Sequence, residues 1–392
     1  MLHPVKPERT TSNKLLKSIN QQKVLRLIYT EGPISRVELA EKTGLTQQTI
    51  TNIVNRLLED DYLFETDPIA GNSGRKPIPL VVKTGEMYAI GIELAVKYVR
   101  GTLIDFQHHT IHEIKEQVQA YRDVEHPLEY IIQIVDELMK RVPKPHQLKG
   151  IGCSIQGLVD SKQGVVIYSP GLRWKKFPLK ERLEERYNVP IYLENDANLL
   201  AIVENLKGRL ADSANNVTIK LDYGIGGALV LNKQLCTGSS HVAGEFGHYK
   251  AFAPEETPVC HCGARGCLTT LASVSGLKRN AGYTPESFAE QLDAGEEQAA
   301  ALLNKIEPAI GTAISNVITF FNPDHVLLTG KMIDVLGTRL LTPLEKRIYS
   351  TIPESCRGVK LVYLPQTPNE STSAGGLVVN HFFDVPLESL SL

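Results

Sequence analysis

The chain has 392 residues, 42% of them hydrophobic and 22% charged, with a net charge of −2 at pH 7. That length points to two or three domains rather than one small one, and the composition is that of an ordinary globular protein with enough chain for sizeable cores. No uncharged apolar run reaches bilayer-spanning length, and Met1-Leu2-His3-Pro4-Val5-Lys6 lacks the apolar stretch of a signal peptide, so a cytoplasmic protein with no membrane partner is expected.

Charge is unevenly spread. Residues 1–30 hold Lys6, Arg9, Lys14, Lys17, Lys23 and Arg26 against Glu8 alone. A basic arm on a near-neutral chain suits a polyanion, although a solvated tail has the same composition. Val24, Leu27 and Ile28 then form a helical apolar stripe that ends near Glu31-Gly32-Pro33. Ser35-Arg36-Val37-Glu38 has the pattern of a capping box. The second helix that follows carries Val37, Leu39 and Ala40 and stops at Thr43-Gly44, where glycine suits the left-handed residue after a helix.

Thr46 is a good N-cap for a third helix, Thr46–Leu58. Ile50, Ile53, Val54 and Leu57 share one of its faces, and Gln47, Gln48, Thr49, Thr51, Asn52 and Arg56 share the other. Helix, short glycine turn, helix is the helix-turn-helix pattern. An ordinary surface helix more often carries acidic residues, whereas amides and hydroxyls can pair with base edges in a major groove. Leu63-Phe64-Glu65 and Leu80-Val81-Val82 read as two strands, joined through Gly71-Asn72-Ser73-Gly74-Arg75-Lys76-Pro77. Arg75 and Lys76 at that tip suit a wing that reaches phosphate or the minor groove. A plain hairpin in a helical protein-interaction domain is the alternative.

From Met87 onward strands alternate with helices: Tyr88–Ile92, Val99–Ile104, a helix around Leu128–Met139, then Ile151–Ile155. A second unit begins at Asn216–Leu221 and continues through Gly227–Leu231. This alternation predicts an α/β body, laid out as two lobes with a ligand cleft between them.

The second unit holds Cys260, Cys262 and Cys267, three of the six cysteines within eight positions. With one histidine they complete a tetrahedral set for zinc, and four protein ligands leave no open position for water, so the site is expected to be structural. Gly263 and Gly266 allow a tight loop around the ion. Buried thiols or a disulfide are the bland alternative. His241, His248 and His261 all lie near enough in sequence to serve as the fourth ligand.

Residues 88–380 resemble the ROK family of repressors and sugar kinases. The resemblance rests on Gly152 through Gly157-Leu158-Val159-Asp160, on Glu194-Asn195-Asp196-Ala197-Asn198, and on Gly244-Glu245-Phe246-Gly247-His248 followed by the cysteines. It implies an actin/hexokinase-like fold of two lobes and His248 as the zinc ligand. Asn195, Asp196, Glu245 and His248 are implied to contact a sugar, with Asp196 in the place of the kinases' catalytic carboxylate. The helix-turn-helix in front is similar to that of the family's repressor branch. The expected division is a winged helix-turn-helix domain over 1–82 and a ROK domain over 83–392, with the lobe boundary near 195–215.

Several stretches depart from the family. Its first phosphate loop resembles D-x-G-x-T, and here Glu93-Leu94-Ala95-Val96-Lys97 puts a β-branched side chain where phosphate would approach the backbone. The second loop reads Asp222-Tyr223-Gly224-Ile225-Gly226-Gly227-Ala228. Asp222 there would repel a polyphosphate by an amount on the order of kcal/mol. Thr269 stands where a sugar-contacting Glu is usual, and Gly171 replaces an Asn within Ser169-Pro170-Gly171-Leu172-Arg173-Trp174. Arg173 or Trp174 could substitute for that contact, and Trp174 could equally be core. The expected protein is therefore not an enzyme. It is a sugar-responsive repressor that binds operator DNA as a homodimer or higher oligomer, with zinc as its cofactor. An ATP-dependent sugar kinase with a fused DNA-binding domain is the main alternative, and a regulator answering to a partner protein is a third.

Overall fold

The computed structural model describes residues 9–67 and 77–384, with side chains from Ser18 onward except that of Lys207. In the head, α1 (Arg9–Glu31), α2 (Arg36–Thr43) and α3 (Gln47–Glu59) pack on an antiparallel sheet of β1 (Ile34–Ser35), β2 (Leu63–Glu65) and β3 (Pro79–Val82), with β3 in the middle. The helix boundaries have local causes. Ser35 and Glu38 form a reciprocal capping box, in which the Ser35 N–H donates to the Glu38 carboxylate at 2.8 Å. Gly44 closes α2 at φ 72°, donating its N–H to the Ala40 carbonyl. The Thr46 hydroxyl caps α3 by accepting from the Thr49 N–H at 3.2 Å.

Ile50, Ile53, Val54 and Leu57 of α3 are buried against Val24 and Ile28 of α1, Leu39 of α2, and Leu63, Leu80 and Val82 of the sheet. The expected strands are thus present, and β2 and β3 pair from Leu63↔Val82 to Glu65↔Leu80. Arg75 and Lys76 at the wing tip lie outside the described residues, as do Lys6, Glu8 and the side chains of Arg9, Lys14 and Lys17.

The body contains two five-stranded sheets of the same topology. The first comprises β4 (Tyr88–Leu94), β5 (Tyr98–Asp105), β6 (Thr110–Gln117), β7 (Leu148–Ile155) and β11 (Ile191–Asn195), in the order β6-β5-β4-β7-β11. The second comprises β12 (Asn216–Leu221), β13 (Ile225–Leu231), β14 (Gln234–Cys236), β15 (His325–Thr329) and β16 (Lys360–Leu364), in the order β14-β13-β12-β15-β16. In each sheet three antiparallel strands are followed by two that run parallel to the central one. A small sheet of β8 (Leu158–Asp160), β9 (Val165–Ser169) and β10 (Trp174–Phe177) is appended to the first lobe.

Helices cover the sheets. On the first lobe, α4 (His126–Met139) buries Leu128, Ile131, Ile134, Val135 and Leu138 at helical spacing. The next helix, α5 (Leu179–Tyr187), buries Leu179, Leu183 and Tyr187. On the second lobe, α7 (Thr269–Ala272), α8 (Val274–Ala281), α9 (Pro285–Asp293), α10 (Glu297–Phe321), α11 (Lys331–Leu336) and α12 (Thr338–Thr351) share one core with β12 and β15. Two helices join the lobes, α6 (Asp196–Lys207) and α13 (Glu370–Phe383).

The backbone of α13 lies directly on the first sheet. A Cβ on Gly91 of β4 would fall 1.7 Å from the Ser371 carbonyl oxygen, and one on Gly152 of β7 would fall 1.9 Å from that of Ala374. Only glycine permits that approach. The far end of α13 carries the head: Phe383 stacks on Tyr29 of α1 with ring centroids 3.9 Å apart, and Arg26 pairs with Asp384 at 3.2 Å. The core of the head runs without a break into Met87, Ala89, Ile104, Phe106, Val378 and Val379 of the body.

Candidate functional site

The long segment 237–268 between β14 and α7 gathers the sulfur cluster. One ligand atom from each of His248, Cys260, Cys262 and Cys267 lies within 4.8 Å of the others. The Cys262 and Cys267 sulfurs are 3.7 Å apart, as are the Cys260 sulfur and His248 Nδ1. A tetrahedron with Zn–S arms of about 2.3 Å sets ligand atoms about 3.8 Å apart, so the donor set fits zinc in both chemistry and spacing. The loop closes through Cys260 N–H to the Ala264 carbonyl, with Gly263 at φ 86° and Gly266 at φ 79°. A bridge to Lys250 anchors Cys267.

Burial, then the neighbouring His261 and Lys250, push the His248 imidazole below its ordinary value. That shift favours the neutral imidazole, the form a metal requires. Lys250 Nζ lies 2.8 Å from the Cys267 sulfur and suits a thiolate there. Of the other two histidines, His241 is placed elsewhere, 3.4 Å from Asp160, and His261 stands beside the cluster, its Nδ1 also 3.7 Å from the Cys260 sulfur but outside the set of four that lie mutually close.

The cleft is organised by the start of α6. The Asn195 side chain caps this helix, its Oδ1 accepting from Ala197 and Asn198, while its amide donates to the Gly157 carbonyl at 2.9 Å and to Asp196 Oδ1 at 3.2 Å. Both ends of the Asn195 amide are thus committed to the fold. Asp196 Oδ2 accepts from Lys220 Nζ at 2.8 Å. Lys220 lies in β12 with its side chain 6% exposed, and it also pairs with Glu370, the first residue of α13. Burial opposes a charge on Lys220, but the two carboxylates outweigh it and hold the ammonium well above its usual value. Glu194 is buried and accepts from Ser161 at 2.8 Å and Asn198 at 3.0 Å. Burial, reinforced by the charge of Asp196, pushes the Glu245 carboxyl up, and Glu245 lies 3.7 Å from His248 Nε2. The metal loop therefore delivers Glu245 and His248 as one unit.

Two departures noted in the sequence meet in space. A Cβ on Gly171 would fall 2.4 Å from Val96 Cγ2, so the Val96 side chain fills the place a larger residue at 171 would need. The buried Glu93 of the first loop is held by the Tyr98 hydroxyl, with Arg100 at 3.5 Å. In the second loop Asp222 turns back onto the Tyr223 N–H at 2.7 Å, and Tyr223 is exposed. Thr269 is buried at the start of α7. Trp174 is core, not a platform for a ligand: it stacks on Phe177 at 4.4 Å and donates to the Val124 carbonyl at 2.7 Å. Arg173 remains exposed.

On the head, Gln47, Gln48, Asn52 and Arg56 are exposed along α3, with Thr49 and Thr51 half-buried beside them. The two threonine hydroxyls bond within the helix, Thr49 to Thr46 at 2.9 Å and Thr51 to the Gln47 carbonyl at 2.8 Å. Gln48 also donates to Asn52 Oδ1 and Arg56 Nε to the Asn52 carbonyl, both at 3.3 Å and both exposed. Sequence reasoning passed over Lys220, Glu370 and Lys250. The signal for Lys220 was a lone charge in the apolar run Val217-Thr218-Ile219-Lys220-Leu221. For Glu370, 150 residues away along the chain, there was no local signal.

Comparison with known proteins follows the same division. The profile described as ROK family matches residues 89–377, and one described as winged helix-turn-helix DNA-binding matches residues 17–63. The chain is 28% identical over 383 residues to the xylose repressor of Bacillus subtilis (strain 168), covering 94% of this chain and 97% of that protein. Among solved structures it is similar to a ROK family transcriptional regulator described as a homologue of the E. coli MLC protein. The TM-score is 0.80 at 24% identity, covering 96% of this chain and 98% of that one. It is also similar to a ROK hexokinase from Thermus thermophilus, with a TM-score of 0.62 at 22% identity, covering 78% of this chain and all of that one. These two likenesses establish the fold.

Two outcomes are expected. Cys262→Ser should abolish zinc uptake by the four-residue set and lower the melting temperature, and unchanged zinc content by elemental analysis would rule out the four-ligand site. Gly171→Asn should cost about 1–3 kcal/mol through overpacking. Adding Val96→Ala should recover most of that in thermal melts, and no recovery would disprove the coupling of the two positions.

Proposed function

The chain belongs to the ROK family, and on that premise we propose that it is a sugar-responsive transcriptional repressor whose kinase-like cleft binds a sugar without phosphorylating it. The observation that carries this reading is the pairing of Asp196 with buried Lys220. A sugar kinase needs a carboxylate free to accept the hydroxyl proton. Here both Asp196 oxygens already hold donors, Lys220 on one and Asn195 on the other. Val96 and Asp222 occupy the two loops that would cradle phosphates. The similarity to a xylose repressor along nearly the whole chain supports the regulatory reading and makes a pentose a natural first ligand to try.

Asn195, Asp196, Glu245 and His248 line the proposed sugar site, with Asn195 acting chiefly through the backbone it caps. Zinc on His248, Cys260, Cys262 and Cys267 would hold the loop that delivers Glu245. The proposed division is a head over 1–82 and a body over 83–392, with its lobes meeting near 195–215. As a homodimer the protein would set two copies of α3 in successive major grooves, about 34 Å apart. Gln47, Gln48 and Asn52 would read bases, with Thr49 and Thr51 shaping that face. Arg56, Arg75, Lys76 and the basic arm would hold phosphates. The sugar acts through its different affinity for the two arrangements of the heads. No described helix is long and apolar enough to cross a membrane, and the proposed place of action is the cytoplasm, where the DNA is.

Replacing Gln47 and Gln48 with Ala should relax operator specificity by about 1–3 kcal/mol for each bidentate base pairing removed. Arg56→Ala and Lys76→Ala should instead weaken binding to all sequences alike and lower the salt dependence by about one counterion each. Identical patterns for the two groups in a competition gel shift would refute these roles. ATP with a panel of sugars should yield no sugar phosphate. Turnover that disappears in Asp196→Asn would establish the competing kinase reading.

A further inference from the structure

We propose that Lys220 is a positioning residue that couples the cleft to the DNA-binding head by pinning the first turns of α6 and α13 together. This rests on the function proposed above for its meaning, but not for its test. Asp196 is the first residue of α6 and Glu370 the first of α13. Each carboxylate sits at a helix N-terminus, where the peptide dipoles favour an anion. One ammonium, from the central strand of the second lobe, holds both. Ser154 of β7 adds a hydrogen bond to Glu370 at 3.1 Å and so ties the first lobe to the same point.

From that point α13 runs as a rod. Its 14 residues span about 21 Å, with its backbone seated on Gly91 and Gly152. It ends on the head, through the stack of Phe383 on Tyr29, the Arg26–Asp384 pair, and a hydrogen bond from Gln22 to the Phe382 carbonyl. Beyond the pin, Leu199 of α6 packs against Ala374 and Leu377 of α13. Beside that contact α6, α13 and α1 wall a cavity of about 530 Å³, lined by Tyr29, Leu199, Val203, Leu206, Leu377 and Phe383 among others. A shift of the two helices toward that cavity therefore meets open space on one side and only this small contact on the other.

The position of the pin explains why the cleft would control it. A sugar hydroxyl that donates to Asp196 shares that carboxylate with Lys220 and weakens the ion pair. A weaker pair leaves the repulsion between the two buried carboxylates less fully compensated. The least costly relief is for the two helix starts to part, and α13 transmits that movement to α1.

The test is hydrogen exchange by mass spectrometry on the full chain, without DNA or sugar. Lys220→Met should raise exchange in α1, residues 23–31, on the order of tenfold, leaving α10 and α12 at wild-type rates. Lys220→Arg should restore most of the protection, and Phe383→Ala, at the other end of the rod, should reproduce the loss. Wild-type rates in α1 of folded Lys220→Met, beside raised rates in Phe383→Ala, would overturn the proposal. So would a uniform rise across the chain, which marks a purely structural lysine. If Lys220→Met does not fold, Glu370→Gln keeps the shape while removing one charge. It should loosen α1 in the same way, and an unchanged α1 would overturn the coupling. Because neither DNA nor sugar is present, failure here leaves the repressor reading standing, and failure of DNA binding leaves the coupling standing.

Discussion

A buried ammonium must be paired, and the pairing of Lys220 fixes much else in this protein. Its two carboxylates come from residues 24 and 150 positions away, on helices that begin at the cleft floor. The charge cannot be left alone without a desolvation penalty of several kcal/mol, so β12, α6 and α13 must meet at one point. That requirement ties the second lobe to the first turns of both helices. It also places the carboxylate at 196 beside a cation, the observation on which the proposed loss of kinase activity rests. Shape and chemistry are decided by the same contact.

The remaining differences from a sugar kinase are packing changes that fit one another. Val96 occupies the space that Gly171 leaves empty, so the first phosphate loop and the Ser169–Trp174 segment have closed on each other. Asp222 folds back on its own turn. The polar residues nearest the α6 start, Glu194, Asn195 and Asp196, remain and are held by hydrogen bonds within the fold. Asn195 and Asp196 belong to the proposed sugar site, and the head shares its hydrophobic core with the first lobe. A head built into the body in this way is packed onto it rather than joined by a bare tether.

The local features were legible in the sequence because their causes are local. Ser35, Gly44 and Thr46 mark helix ends through bonds to residues within four positions. The cysteine cluster declares itself through spacing alone. Spacing left three candidates for the histidine, and the choice of His248 came from resemblance; the fold places His248 in the four-residue set and turns His241 toward Asp160. Asn195 was readable both as a cap and as a sugar contact, and the structure shows the cap in full. Trp174 was ambiguous because an aromatic beside a cleft and an aromatic in a core look alike until burial is known. Lys220 and Glu370 lay beyond reach, since a salt bridge between residues 150 apart leaves no trace in periodicity or composition.

The central claim is that a sugar in the cleft governs DNA binding by the head. The most direct measurement is binding of the full-length protein to DNA from upstream of its own gene and neighbouring genes, titrated with a panel of mono- and disaccharides. The account predicts specific binding whose affinity one sugar changes at least tenfold, about 1.4 kcal/mol of coupling. Specific binding indifferent to every sugar, or no specific binding at all, would contradict it.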